Sequence, residues 1–257
     1  MKQTYAGTIL PTTRYAPHDD KSGNPRPLVI SMINAKTKPC HCIDSPLEKI
    51  TNALSTVDSD VLLAPEWFFV KNSKNTMYDK KEYHGILEKL EKISQKHDTL
   101  LIPGTVAWAH GGYHMNTVPI VYKGQILHEC SKRNDGGDSE FAARYDLEWK
   151  PGIATNVFSW RDFSVAIQIC LDHIKDMPDS EVDLQLVVSA GMSLYQNRLN
   201  KLRANGIAAC CDGMKGLNEI KQTKTTCDPI DIPTIDIPPT RKITLYDTTM
   251  SVFDVSL

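Results

Sequence analysis

The sequence has no apolar run approaching the ~18 residues that a membrane-spanning helix requires, so no such helix is expected. It also lacks an excess of either charge: 29 Lys and Arg stand against 31 Asp and Glu, a formal net charge of −2. That balance gives no basic field for a phosphate backbone, and no nucleic-acid partner is expected. The opening stretch from Met1 to Tyr15 has no apolar core behind its single Lys. It does not read as a secretory signal, and the expected setting is cytoplasmic. The 7 cysteines are an odd count and cannot all pair internally, so reduced thiols are expected.

What is present is ordinary for a globular chain. The 257 residues are 41% hydrophobic and 23% charged, which excludes a disordered protein. A chain of this length buries a sizeable core without disulfide or metal staples. Cys40-His41-Cys42 resembles half of a metal site, but no second Cys/His cluster faces it. It reads as incidental, and neither metal nor organic cofactor is expected. Cys210 and Cys211 follow the apolar Ile207-Ala208-Ala209, where Cys behaves as a small buried hydrophobe.

Short apolar runs bounded by turn residues read as strands: Leu28–Ile33, Val61–Ala64, Leu100–Ile102, Leu184–Ser189 and Ile243–Tyr246. Two hairpins are expected. One joins Val118–Tyr122 to Gln125–Cys130 through Lys123-Gly124, the other Val157–Trp160 to Phe163–Cys170 through Arg161-Asp162. Lys81–His97 sets Ile86, Leu87, Leu90 and Ile93 on one helical face. Leu47–Leu54 reads as a shorter helix with Ser45 as N-cap and Pro46 behind it. Leu194–Ala209 reads as a weaker helix, interrupted by Gly206. Strands alternating with helices, with hairpins intruding, point to a layered α/β sandwich. No long linker divides the chain, so residues 1–257 are expected to form one domain. Its Pro-rich segment 228–239 twice repeats Asp-Ile-Pro and should run extended.

Three strand ends carry groups able to do chemistry. One run ends in Glu66 among aromatics, a second in Lys132, and a third in Cys170 followed by Leu171 and Asp172. A thiol is mostly protonated at neutral pH and needs a base to act as a nucleophile. A carboxylate among apolar rings loses hydration, its pKa rises, and it can take and return a proton near neutrality. A buried ammonium supplies fixed positive charge to a developing oxyanion. Taken singly, each residue has a plainer reading: a packed core thiol, a solvated loop lysine, a structural ion pair.

Taken in order, the segments resemble the nitrilase, or carbon–nitrogen hydrolase, superfamily. The likeness runs over roughly residues 28–172. It rests on Leu63-Ala64-Pro65-Glu66-Trp67-Phe68, Leu101-Ile102-Pro103-Gly104-Thr105, Asn116-Thr117, Lys132, Trp149-Lys150-Pro151-Gly152 and Ile169-Cys170-Leu171-Asp172. The resemblance implies a four-layer α-β-β-α sandwich with a Glu–Lys–Cys triad at strand ends. Cys170 would attack a small amide-type substrate to give a thioester. Glu66 would be the general base and then the acid. Lys132 and the Leu171 N–H would hold the oxyanion, and Glu140, eight residues beyond Lys132, would help to position water. A homodimer is implied as well. Leu171 stands where relatives usually carry an aromatic, and the stretch from Arg133 to Ser139 lacks the usual apolar and Pro residues. A non-catalytic relative that binds a small molecule or partner on the same fold is the alternative. His110, His114 and His173 read as polar loop residues near the mouth.

Overall fold

The computed structural model describes residues 26–35, 44–71, 77–153, 155–224, 233–245 and 248–256. Cys40-His41-Cys42 and the 228–232 part of the Pro-rich segment lie outside the described residues. The elements in chain order begin with β1 (Leu28–Asn34), α1 (Asp44–Thr56), β2 (Val61–Leu63), β3 (Tyr78–Asp79), α2 (Lys80–Ser94), β4 (Leu100–Ile102) and β5 (Val106–His110). Next come β6 (Tyr113–Tyr122), β7 (Gln125–Ser131), α3 (Asp138–Ala143), β8 (Glu148–Trp149), β9 (Val157–Trp160), β10 (Phe163–Ile169) and α4 (Asp172–Lys175). The chain closes with β11 (Val182–Ser189), β12 (Leu202–Asp212), β13 (Asn218–Thr223), β14 (Thr234–Ile237), β15 (Arg241–Leu245) and β16 (Thr248–Val255).

Two sheets result. The first runs β15-β16-β1-β2-β4-β6-β5-β3, with β7 and β8 also paired to β6; the second runs β14-β13-β12-β11-β10-β9. Side-chain alternation decides how they stack. Ile30 and Met32 of β1 join Val165, Ile167 and Ile169 of β10 and Leu184, Leu186 and Val188 of β11 in one buried cluster between the sheets. Ile33 and Leu62, pointing the other way, pack with Ile50 and Leu54 of α1 and Ile86 and Leu90 of α2. An Asp79–Glu82 capping box fixes the start of α2, each side chain bonding the other residue's backbone N–H.

The fold is mixed α/β with stacked sheets, as the sequence indicated, but the layer outside the second sheet is thin. Among the described residues no long helix covers it. Leu194 and Leu199, from the irregular segment before β12, pack on Ala166, Val187, Ala208 and Cys210. This corrects the reading of Leu194–Ala209 as a helix. Only a short 3-10 turn at Gln196–Arg198 forms there, and the chain then enters the 11-residue strand β12. Strands β11 and β13 flank β12, and its Ile207–Cys211 stretch is buried throughout, so no alternation marks it. The described part of α1 already includes Asp44, so Ser45 lies within the helix rather than capping it. The described end of the Pro-rich segment runs extended as the edge strand β14. No described helix is long and apolar enough to cross a membrane.

Candidate active site

Glu66, Lys132 and Cys170 lie far apart in the chain and meet at one end of the two sheets. Each leaves the C-terminal end of a strand, where backbone pairing stops and side chains are free to converge. Glu66 follows β2 in a tight turn. Trp67 there has φ 60, and its N–H donates to Thr105 Oγ1 at 2.8 Å. Gly104 makes the turn possible: its φ is +79, and a Cβ would stand 2.2 Å from the Pro65 carbonyl oxygen.

The Glu66 side chain is 1% exposed. It accepts hydrogen bonds from Lys132 Nζ at 2.8 Å and from Asn116 Nδ2 at 3.0 Å. Burial raises its pKa above the ordinary carboxylate value, against the lowering pull of Lys132. Lys132 is equally buried, and its Nζ lies 2.7 Å from Asp138 Oδ2 as well. Burial by itself would lower the lysine pKa; the charges of Glu66 and Asp138 outweigh it and hold the ammonium firmly protonated. Lys132 is anchored through its backbone, donating to the Asn116 carbonyl and accepting from the Gly152 N–H, each at 2.9 Å.

Cys170 is half-buried on the turn between β10 and α4. Its φ of 50 is unusual for a residue with a side chain. Such strain persists only where surroundings fix it, and here it lifts the thiol off the end of β10. The Glu66 carboxylate and the Ala190 backbone N–H both act electrostatically on the thiol, and the Cys170 N–H donates to the Val188 carbonyl at 2.9 Å. Burial, then the Glu66 charge, push the thiol up to about 11, so it rests protonated near neutral pH. Leu171 is the N-cap of α4, the end of a helix where backbone donors lack intrahelical acceptors.

The fourth expected residue does not join this cluster. Glu140 is exposed on α3. Asp138, two residues earlier and fully buried, stands beside Lys132 and also accepts from Asn116 Nδ2 at 3.0 Å. The reason is local. Asp172 accepts the Arg133 N–H at 3.1 Å and the Asn134 N–H at 2.8 Å, pulling the chain back directly after Lys132. Asp135 then accepts the Gly137 N–H at 2.9 Å, and Gly137 turns with φ 106. The shortened loop brings the sixth residue after Lys132, rather than the eighth, to the ammonium.

The histidines also differ from expectation. His110 is exposed at the end of β5, but His114 and His173 are both fully buried. His114 stacks on Trp67 with ring centroids 5.9 Å apart, and Phe141 closes on both rings. Its Nε2 is 4.0 Å from Asp138 Oδ1. Burial lowers its pKa to about 4, so the ring is neutral near pH 7. An alternating strand was the signal for this placement: His114, Asn116 and Val118 share the inward face of β6. Among the described residues no group of three or more His, Cys, Asp and Glu is set to hold a metal ion.

The assembled groups are a thiol beside a desolvated carboxylate, with a buried ammonium across from both. Neither a family model nor a curated protein sequence matches the chain. Solved structures do match it. A nitrilase-superfamily amidase from Nesterenkonia AN1 shares 15% sequence identity at a TM-score of 0.58, covering 90% of this chain and 91% of that one. Saccharomyces cerevisiae Nit3, of branch 10 of the same superfamily, shares 12% identity at 0.58, covering 89% and 90%. A further structure of the Nesterenkonia amidase, a mutant 12% identical at 0.58 over 90% of each chain, shows covalent addition of the acetamide moiety of fluoroacetamide at its active site cysteine.

Proposed function

We propose that this chain, which has the fold of the nitrilase superfamily, is a hydrolase of small amide-type C–N bonds working through a Cys170 thioester. The observation that carries the reading is the contact set around Glu66. One buried carboxylate takes a hydrogen bond from the Lys132 ammonium at 2.8 Å, and its charge bears directly on the Cys170 thiol.

The steps follow from those contacts. Glu66 takes the thiol proton as the sulfur attacks the carbonyl carbon, forming the S–C bond and sending the C=O pair onto oxygen. Lys132 Nζ and the Leu171 N–H offer that oxygen positive charge and a donor. The intermediate collapses, the C–N bond breaks, and Glu66 returns its proton to the departing ammonia or amine. Water then gives a proton to Glu66 and its oxygen to the thioester carbon. The sulfur leaves, regains the proton, and the acid product is free. Asp138 offsets one of the charges in the cluster, so that Lys132 stays cationic without a full counter-charge on Glu66. Asn116 ties the two carboxylates together, and Glu140 has no part.

Trp67, His114 and Phe141 give the site one aromatic wall, which suits a small uncharged acyl group. The same reading takes the chain as one cytoplasmic domain that pairs as a homodimer. The test is ammonia release from a panel of small aliphatic, aromatic and amino-acid amides. Release by the wild type that vanishes in Cys170→Ala supports the reading. Release that survives the substitution sinks it.

A further inference from the structure

Behind the nucleophile lies a second buried polar cluster that none of these steps uses. His173 stands three residues after Cys170 on α4, fully buried, and its backbone N–H donates to the Cys170 carbonyl at 2.9 Å. Its Nδ1 is 2.9 Å from Gln168 Oε1. Gln168 is oriented independently: its Nε2 donates to the Asp176 carbonyl at 2.9 Å, and its Oε1 accepts from Gln185 Nε2 at 2.8 Å. The oxygen that faces the ring is therefore an acceptor; Gln185 Nε2 also comes within 3.3 Å of Nδ1, but the shorter contact to the oxygen and the backbone donor at Nε2 put the proton on Nδ1. The lone pair is left on Nε2, which accepts the Tyr195 backbone N–H at 3.1 Å.

Tyr195 ends the segment that begins at Ala190, two residues after Val188, whose carbonyl accepts the Cys170 N–H at 2.9 Å; the Ala190 N–H there favours the thiolate. Between them, the fully buried Asp212 accepts the Gly191 N–H and, at 3.2 Å, the Met192 N–H. The Leu194 N–H donates to Glu219 Oε2 at 3.1 Å. Asp212 and Glu219 tie the segment to the second sheet. Among the described residues, the hydrogen bond to His173 is what ties it to α4, the helix that follows the nucleophile.

We propose that His173 is a positioning residue for Cys170: as a neutral Nδ1–H imidazole, it holds residues 190–195 against the nucleophile's turn through Nε2, keeping the Ala190 N–H on the sulfur. The proposal rests on Cys170 being the nucleophile. An N–H aimed at the sulfur favours the thiolate over the thiol, since a hydrogen bond to the charged partner is the stronger one. Losing that aim raises the cost of forming the thiolate and slows attack. His173 is fully buried and its ring bonds Gln168 and the Tyr195 backbone, so its loss is expected in kcat rather than in substrate affinity.

Acid should release the device. Imidazolium has no lone pair for the Tyr195 N–H. Among the described residues the groups around the ring are the amides of Gln168 and Gln185, the Tyr195 backbone and ring and the Arg198 guanidinium, and the charge that bears on it is that of Arg198. Burial, then Arg198, lower His173 to about 4, so the latch is closed near neutral pH.

The experiment compares wild type, His173→Ala and His173→Gln by kcat and KM on the best amide, and by the rate of Cys170 alkylation with iodoacetamide across pH. Glutamine keeps an acceptor oxygen near the place of Nε2. We expect the alanine variant to lose about tenfold in both kcat and alkylation rate, with KM within about twofold and the alkylation profile moved to higher pH. The glutamine variant should recover most of the loss. An alanine variant as active and as reactive as wild type overturns the proposal, as does a folded glutamine variant no better than alanine. If alanine does not fold, glutamine is judged against wild type: a folded glutamine variant that loses about tenfold in kcat and alkylation rate overturns the proposal, and one within about twofold supports it. Nitrogen-15 spectra of wild-type histidines decide without any substitution: a His173 protonated on Nε2 at neutral pH overturns it. Failure of the underlying reading looks different, because wild-type Cys170 would then alkylate no faster than an ordinary thiol.

Discussion

The Asp138 carboxylate lies 2.7 Å from the Lys132 ammonium, whereas Glu140, two residues further along the same helix, faces solvent. This pair separates two carboxylates that look interchangeable in sequence. Asp138→Asn removes the charge that balances Lys132 in a buried site, leaving Glu66 as its only counter-ion and a weaker base. We expect kcat to fall about 10²-fold, in line with the loss of one preorganised electrostatic contact. Glu140→Gln should stay within about twofold of wild type. Steady-state kinetics on the two variants checks both, and a severe loss in the glutamine variant with none in the asparagine variant would reverse the assignment.

Thiol chemistry gives a prediction that needs no substrate. Of the four cysteines among the described residues, Cys130, Cys210 and Cys211 are buried and only Cys170 is partly open. Burial pushes Cys130 up to about 12 and Cys170 to about 11, so neither holds much thiolate at pH 7. What distinguishes Cys170 is the nearby Glu66 carboxylate, the proposed base. Brief treatment of the native protein with iodoacetamide should label Cys170 ahead of the other three, read by peptide mass. Glu66→Gln should slow that labelling at least tenfold, since the proton then has no acceptor. Equal rates in the two proteins would mean that Glu66 is not the base for this thiol.

How far the sequence reached depends on the physics at each place. The hairpin at Lys123-Gly124 was legible because a two-residue turn with φ 48 and 78 is a local requirement that the dipeptide advertises. The α2 helix was legible from its 3.6-residue period and ran Lys80–Ser94. Strand β12 was not, because a strand buried on both faces has no period, and Leu199, Leu202 and the alanines then imitate a helix. Glu66, Lys132 and Cys170 were visible as chemistry at strand ends, Glu66 and Cys170 after apolar runs and Lys132 after the second strand of the Lys123-Gly124 hairpin. Asp138 was not, because which carboxylate reaches Lys132 depends on how Asp172 and Asp135 fold the loop, a matter of hydrogen bonds rather than spacing. His114 and His173 were read as loop residues because β6 begins at Tyr113, ahead of the apolar run at Val118–Tyr122 that marked it, and because His173 follows the Cys170 turn with no periodic signal around it.

Those two histidines make stability depend on pH. Burial lowers both from 6.5 to about 4 in the fold. Between those values the unfolded chain binds more protons than the native one, so stability is full above about pH 6.5 and falls as pH drops towards 4. The loss is on the order of 3 kcal/mol per ring at the acid end. Glu66 opposes it, because a carboxylate raised by burial favours the native state as pH falls. In a Glu66→Gln background the urea midpoint should therefore fall more steeply between pH 6.5 and 4 than in wild type. A midpoint that stays flat in that background would show that the rings are not held neutral.

Two glycines set the last test, one at the site and one away from it. At Gly104, φ is +79 and a Cβ would stand 2.2 Å from the Pro65 carbonyl oxygen and 2.7 Å from Phe68 Cβ. Gly104→Ala must therefore push apart the turn that carries Glu66, at a cost of about 2–4 kcal/mol. Displacing Glu66 by even about 1 Å spoils its reach to both Lys132 and the thiol, and kcat should fall about 10²-fold. Gly85 sits in the middle of α2, where a Cβ meets nothing within 4 Å. Gly85→Ala should stabilise the fold by up to about 1 kcal/mol and leave kcat unchanged. Urea unfolding and kinetics on the two variants read both quantities. If Gly104→Ala unfolds earlier yet turns over normally once folded, the turn supports the fold without setting the position of Glu66.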